Sequence, residues 1–302
     1  MTKMHRVALA AALAVAALGA HAQANDTLAK IKSSGVVTEG VRESSGALSF
    51  TLGDGKYAGF HHEVCARVIA DIQKQLGLAK LETKYQPVTS QNRIPLVQNG
   101  TVDLECGSTT NNAARQKDVA FAPALYVEEV RMAVKANSPI KSIADLKDKT
   151  VATTTGTTSV QLIRKNKRAG GIDFKELTGK DHADSFLLLE SGRADAFVMD
   201  GQILAGLIAK SRDPKAYAIV GEPLSVEPIA IMYRKDDAAF KKAVDDSVRN
   251  LARSGEAAKL YDKWFMKPIP PANTTVGLNA SDATKAAWST PSDKPLEEYQ
   301  QP

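Results

Sequence analysis

SQNRIPLVQNGTVDLECGSTTNNAARQ, residues 90–116, decides how this chain is read. It runs from an Arg-bearing loop into an apolar, helix-like segment. It then passes a glycine turn into a short strand and ends in a hydroxyl-rich turn with a second arginine. The spacing predicts a helix over Arg93–Asn99 and a strand over Val102–Glu105. A hydroxyl-rich turn can hold a small carboxylate with its backbone N–H groups and a bidentate guanidinium. Arg93 and Arg115, at opposite ends of one short element, point to a ligand with two carboxylates.

The same alternation extends in both directions. Before the stretch, Val36–Val41 reads as a strand, Glu63–Leu76 as an amphipathic helix and Lys80–Tyr85 as a strand. After it, the rhythm restarts. Strands are expected at Thr150–Thr153, Phe174–Leu177 and Ala194–Met199, with helices at Ser159–Lys167, His182–Ser191 and Gln202–Lys210. Strands alternating with helices imply an α/β fold with largely parallel sheets. Two similar blocks imply two α/β lobes. The β-prone runs Val127–Lys135 and Ile229–Arg234 flank the second block and are expected near the crossovers between lobes. This gives lobe 1 as residues 23–129 and 222–268, lobe 2 as 130–221, and a tail over 269–302 packed on lobe 1. Asp237–Trp264 reads as helical with a break at Ser254-Gly255, and one helical turn is expected at Asp282–Trp288.

The N-terminus has the pattern of an export signal. Lys3 and Arg6 precede the apolar run Val7–Ala20, and Ala20-His21-Ala22 offers a small-x-small cleavage site. Residues 1–22 are therefore expected to be removed, leaving a free protein outside the cytoplasm. No cysteine lies near the cleavage site to carry a lipid. Removal takes away two basic residues and no acid, so the formal charge falls from +5 to +3. Lys and Arg are scattered without a basic run, which argues against nucleic acid as a partner. A mildly basic surface suits acidic small ligands. Cys65 and Cys106 make an even count in an oxidising compartment, which favours one disulfide over two separate buried thiols. No metal-ligand spacing or cofactor loop is present. His61-His62-Glu63 projects to different faces of a helix, and partial exposure of both histidines is expected.

Several segments, in order, carry a resemblance. They are VRESS (41–45), the 90–116 stretch, TTGTTS (154–159), KDHADSF (180–186), LESGRADAFVMD (189–200), YRKDD (233–237), SGEAAKLYDKWF (254–265) and PIPP (268–271). Together they resemble the periplasmic solute-binding proteins of polar amino-acid ABC transporters, and within that family the members that take glutamate and aspartate. The resemblance covers nearly all of the chain after residue 22. Two departures stand out. Gly59-Phe60-His61-His62-Glu63 has a histidine where the family has an acid. Phe121-Ala122-Pro123-Ala124-Leu125-Tyr126 replaces its Phe-Ser-x-Pro-Tyr.

The resemblance implies a type II periplasmic-binding-protein fold, a clamp of two lobes joined by two crossover segments. It also implies a binding role without catalysis, L-glutamate or L-aspartate as ligand, an inner-membrane ABC permease as partner, no cofactor, and a monomer free to hinge. It assigns Ser108, Thr110 and Arg115 to the α-carboxylate, joined by Thr157 and Thr158 behind Gly156 at a helix N-terminus. Asp200, at the end of a strand, is the candidate for the ammonium. Arg42, Ser90, Arg93 and His182 are the candidates for the side-chain carboxylate. Plainer alternatives are a surface role for Arg115, helix capping for Asp200 and a local hydrogen bond for His182. A dehydratase-like enzyme on the same fold would need an acid or base aimed at substrate. Glu105 reads instead as a strand-end residue and Glu43 as a loop acid facing away.

Overall fold

The computed structural model describes residues 26–299, and the expected leader, residues 1–22, lies outside them. The first lobe begins with helix α1 (Thr27–Ser34) and strand β1 (Val36–Val41). A small antiparallel sheet follows, formed by β2 (Ser44–Ser45), β3 (Ser49–Gly53) and β4 (Lys56–Ala58). Helix α2 (Phe60–Gln75) buries Val64, Cys65, Val68, Ile69 and Ile72, the face that its i, i+3, i+4 spacing predicts. Next come β5 (Glu82–Pro87), α3 (Arg93–Gln98), β6 (Leu104–Glu105) and β7 (Val119–Phe121).

The second lobe is built from β8 (Tyr126–Lys135), β9 (Thr150–Thr154), α4 (Thr158–Gly170), β10 (Lys175–Gly179), α5 (His182–Glu190), β11 (Ala196–Asp200), α6 (Gly201–Lys210) and β12 (Tyr217–Ile229). Every residue of β11 is buried, as a strand covered on both faces requires. The chain then returns to the first sheet through β13 (Met232–Arg234). Helices α7 (Ala238–Arg253) and α8 (Glu256–Tyr261) follow, separated at Gly255.

The two five-stranded sheets have the same plan. Their orders are β5-β1-β6-β13-β7 and β10-β9-β11-β8-β12. In each, the first strand of the block lies between the second and third, and an antiparallel strand separates the third from the fourth. The chain passes between the sheets at residues 122–125 and again at 230–231. Residues 126–130 of β8 pair with 225–229 of β12 as an antiparallel ribbon beside these passages. Separate apolar clusters underlie the two sheets, one around Phe60, Tyr233 and Phe265, another around Val130, Val151 and Val198.

The C-terminal segment lies against the first lobe. Helix α9 (Asp282–Ser289) anchors by Trp288 Nε1 donating to the Leu125 carbonyl at 2.8 Å. Asn111 Nδ2 donates to the Asp293 carbonyl at 2.9 Å, and Leu296 N–H donates to the Asn111 carbonyl at 2.8 Å. These bonds brace the turn that leads to Arg115. A disulfide joins Cys65 on α2 to Cys106 just beyond β6. His61 departs from expectation. It is 1% exposed, because the start of α2 turns it against the loop after β6, and its Nδ1 sits 2.6 Å from the Gly107 carbonyl. Burial pushes its pKa down to about 4, so the neutral ring donates to that carbonyl. Among the described residues, no helix is long and apolar enough to cross a membrane.

Candidate functional site

The candidate residues come from the C-terminal ends of strands in both lobes. Open α/β sheets bind ligands there, because strand order reverses and leaves a crevice. Arg42 follows β1, Ser108 lies beyond β6, Thr157 beyond β9, and Asp200 ends β11. All ten candidates are buried. The lobes approach closely at two glycines. Gly46 (φ +59°) lies against Gln202, and Gly156 (φ +82°) against Ser90 and Gln91. A Cβ at either position would strike the facing lobe, and both backbones lie where L side chains are strained. Gln202 adds side-chain contacts, accepting from Ala47 N–H at 2.9 Å and donating to the Ser45 carbonyl at 3.3 Å.

Arg42 is fully buried, and its Nη2 is surrounded by Ser90 Oγ at 3.1 Å, Asp181 Oδ1 at 2.9 Å and His182 Nε2 at 3.1 Å. Its Nε and Nη1 have no hydrogen-bond partner among the described residues. Arg93, 2% exposed at the start of α3, likewise leaves Nε and Nη1 unpartnered. Burial and then the neighbouring Arg115 charge push Arg93 down to about 9, so it stays cationic at neutral pH. Buried donors of this kind are costly to leave unmatched.

His182 is neutral here. Burial first, then the Arg42 charge, lowers its pKa to about 3. Nε2 therefore accepts from Arg42, and the ring proton on Nδ1 donates to Thr154 Oγ1 at 3.0 Å. Thr154 Oγ1 in turn donates to Ser185 Oγ at 2.8 Å, because the Ser185 hydroxyl donates to the Thr153 carbonyl at 2.9 Å. Both ring nitrogens are thus engaged, and His182 orients Arg42.

On the other side, Arg115 Nη1 donates to the Thr110 carbonyl at 2.9 Å and Nη2 to the Gly156 carbonyl at 3.3 Å, linking the lobes. Thr110 and Thr158 both donate to Glu227 Oε2, at 2.6 and 2.8 Å. Ser108 Oγ lies 3.1 Å from Ser45 Oγ, and Thr157 Oγ1 donates to the Thr154 carbonyl at 2.7 Å. Asp200 precedes α6, but its carboxylate does not cap that helix. Burial, and then the Glu227 charge, pushes its pKa up to about 7 against the opposing pull of Arg93, Arg115 and Arg42. Glu128 on the crossover ribbon is pushed well above the usual carboxylate range, by burial first and then by Asp200. Glu105 is buried at the end of β6, accepting from Thr109 Oγ1 at 2.6 Å, while Glu43 is exposed.

The structure therefore buries all ten candidates where the two lobes meet. It adds Asp181, Glu227 and Gln202, which sequence reasoning did not single out. Asp181 was inside the quoted KDHADSF segment and could have been noticed as an acid beside His182. Nothing local marked Glu227 or Gln202.

Residues 37–267 match the bacterial extracellular solute-binding proteins, family 3. The chain belongs to that family. It is 45% identical over 295 residues to the glutamate/aspartate import solute-binding protein of Escherichia coli K12, covering 98% of this chain and 97% of that one. It is 43% identical over 295 residues to the L-glutamate/L-aspartate-binding protein of Pseudomonas aeruginosa, covering 96% and 97%. Among solved structures, the cysteine-binding protein from Campylobacter jejuni is similar, with a TM-score of 0.69 at 26% identity, covering 79% of this chain and 92% of that one.

Proposed function

We propose that this family member binds L-glutamate and L-aspartate in the cleft, closes over them and delivers them to an inner-membrane ABC permease. It would do so as a monomer in the periplasm, after loss of residues 1–22. The observation that carries the ligand class is the pair of buried guanidiniums, Arg42 and Arg93, each with Nε and Nη1 unpartnered, in a cleft that also holds Arg115 and Asp200. A dicarboxylic amino acid supplies what each group needs. The side-chain carboxylate matches Arg42 and Arg93 beside Ser90, with His182 acting through Arg42. The α-carboxylate matches Arg115, Ser108, Thr110 and the N–H groups around Thr157 and Thr158. The ammonium matches Asp200. The relatives in E. coli and P. aeruginosa, named for the same two amino acids, support this reading.

Closure follows from the division of the site. Arg42, Ser90, Arg93 and Arg115 lie on one side, and Thr157, Thr158, His182 and Asp200 on the other. A ligand that bridges both sides binds the closed form better and shifts the population toward it. Glutamine would leave a guanidinium without its counter-charge, and an unpaired buried charge costs about 3–5 kcal/mol, so discrimination of at least about a hundredfold is expected. The test is calorimetry on protein unfolded and refolded to remove bound ligand, titrated with L-glutamate, L-aspartate and L-glutamine. Tight binding of both acids and not of the amide is expected. Equal binding of glutamine, or no binding of either acid, would refute the assignment.

A further inference from the structure

Asp181 is an acid placed in an anion-binding cleft, and no ligand group described above needs it. It precedes α5 on the second lobe, yet both of its carboxylate oxygens are engaged by the first lobe. Oδ1 accepts from Arg42 Nη2 at 2.9 Å, and Oδ2 accepts from Ser44 Oγ at 2.6 Å. Ser44 Oγ also accepts from Ala183 N–H at 3.3 Å, so the hydroxyl is held from two points on the second lobe. The ion pair is well shielded, with the Arg42 side chain fully buried and that of Asp181 18% exposed. Charge-assisted bonds in such surroundings are the strong ones.

We infer that Asp181 is a closing latch and a positioning residue for Arg42, built from protein groups alone. The inference rests on the cleft being the ligand site. The latch has two physical consequences. It holds the Nη2 corner of Arg42, so that the Nε and Nη1 edge keeps one direction before a carboxylate arrives, which lowers the cost of ordering on binding. It also stabilises the closed arrangement relative to the open one without ligand. Observed affinity scales with the fraction of protein already competent to bind, so a latch of this kind tightens binding of every ligand that needs closure. Its effect is therefore expected to be nearly equal for glutamate and aspartate, whereas loss of a direct ligand contact would change their ratio.

The test uses the mature protein with spin labels on exposed positions of each lobe, through Lys74→Cys and Lys165→Cys, in otherwise wild-type, Asp181→Asn, Asp181→Glu and Ser44→Ala backgrounds. Without ligand, Asp181→Asn is expected to shift the interlobe distances to longer values, and Ser44→Ala to do so less. Saturating L-glutamate is expected to restore the same closed distance in all of them. Loss of one charge-assisted bond predicts affinity for both acids lowered about tenfold, mostly through faster dissociation. Asp181→Glu, which keeps the charge, is expected to recover part of it. Unchanged ligand-free distances and unchanged affinity in both Asp181→Asn and Ser44→Ala would overturn the latch. So would a lowered melting temperature with no distance shift, which would mean that Asp181 only supports α5. Should wild type bind neither acid, the ligand assignment falls, and the ligand-free distances alone still decide the latch.

Discussion

Asp200→Asn should raise the stability of the ligand-free protein while weakening binding, and each effect should have its own pH dependence. The carboxyl is pushed up to about 7 from an ordinary value of 3.8. A raised acid favours the folded state only while it is protonated. Its contribution is fully present below about pH 4 and is lost as pH rises through about 7. At about 1.36 kcal/mol per unit, the loss is on the order of 4 kcal/mol by pH 8. Asparagine keeps the shape without the charge. The variant should therefore match wild type near pH 4 and unfold at higher urea concentration at pH 8. Binding has the opposite sign, because pairing with an ammonium needs the carboxylate. Its ionised fraction falls from about nine-tenths at pH 8 to about one-tenth at pH 6, so glutamate affinity should fall about tenfold across that span. His182, His61 and Asp181, at about 3, 4 and 2, do not titrate there. In Asp200→Asn the affinity should depend less on pH and be about ten- to a hundredfold weaker at pH 8, the loss of a hydrogen bond to a charged group. Urea denaturation and calorimetry at pH 4, 6 and 8 read both effects. Wild-type affinity that is flat between pH 6 and 8, or a variant that binds as wild type does, would refute the assignment of the ammonium to Asp200.

Three other perturbations test separate parts of the site. Arg93→Met removes a buried guanidinium with two unpartnered nitrogens. The ligand-free protein should gain about 1–4 kcal/mol in urea unfolding. Glutamate affinity should drop by at least a factor of about a hundred, as expected for one partner lost from a buried pair; unchanged affinity by calorimetry would remove Arg93 from the site. Gly46→Ala places a Cβ on Gln202 at a backbone φ of +59°. It should cost about 1 kcal/mol of stability and keep the glutamate-loaded protein more expanded than wild type in small-angle scattering. Replacing Cys65 and Cys106 together by serine opens a cross-link with a sequence separation of 41. Loop entropy predicts a loss of about 4 kcal/mol in urea unfolding. Because Cys106 adjoins Gly107 and Ser108, glutamate affinity should fall as well.

What the sequence shows directly depends on the range of the interaction. The buried face of α2, the break at Gly255, and the strand–turn–helix setting of Gly156 follow from spacing within a few residues, and these elements appear within a few positions of expectation. The ten candidate residues came mainly from the ordered set of segments that carries the resemblance, with strand ends and hydroxyl-rich turns as local support. The contacts that tune them were not legible. Arg42 meets Asp181 across 139 residues, Thr110 meets Glu227 across 117, and Ala47 meets Gln202 across 155. His61 was misjudged for the same reason. Its burial depends on the loop after β6, 46 residues away, and not on the helix that carries it.

The charge balance shows how much these distant contacts matter. Read from sequence, Arg42, Arg93 and Arg115 look like an excess of positive charge that only two ligand carboxylates could match. In the fold, Asp181 pairs with Arg42, while Glu105 and Glu227 pull on the Arg115 guanidinium and Glu105 on that of Arg93. Total charge alone therefore does not select the ligand, although Arg93 forms no ion pair among the described residues. What remains specific is geometry, namely which edges of Arg42 and Arg93 are left without a protein partner. An anion of the right charge and the wrong shape would still leave those edges unmatched, and leaving a buried donor unmatched is costly. Selection by unmatched donors also explains why a buried acid can coexist with an anion site. Asp181 occupies one corner of Arg42 and leaves the edge that a carboxylate must fill.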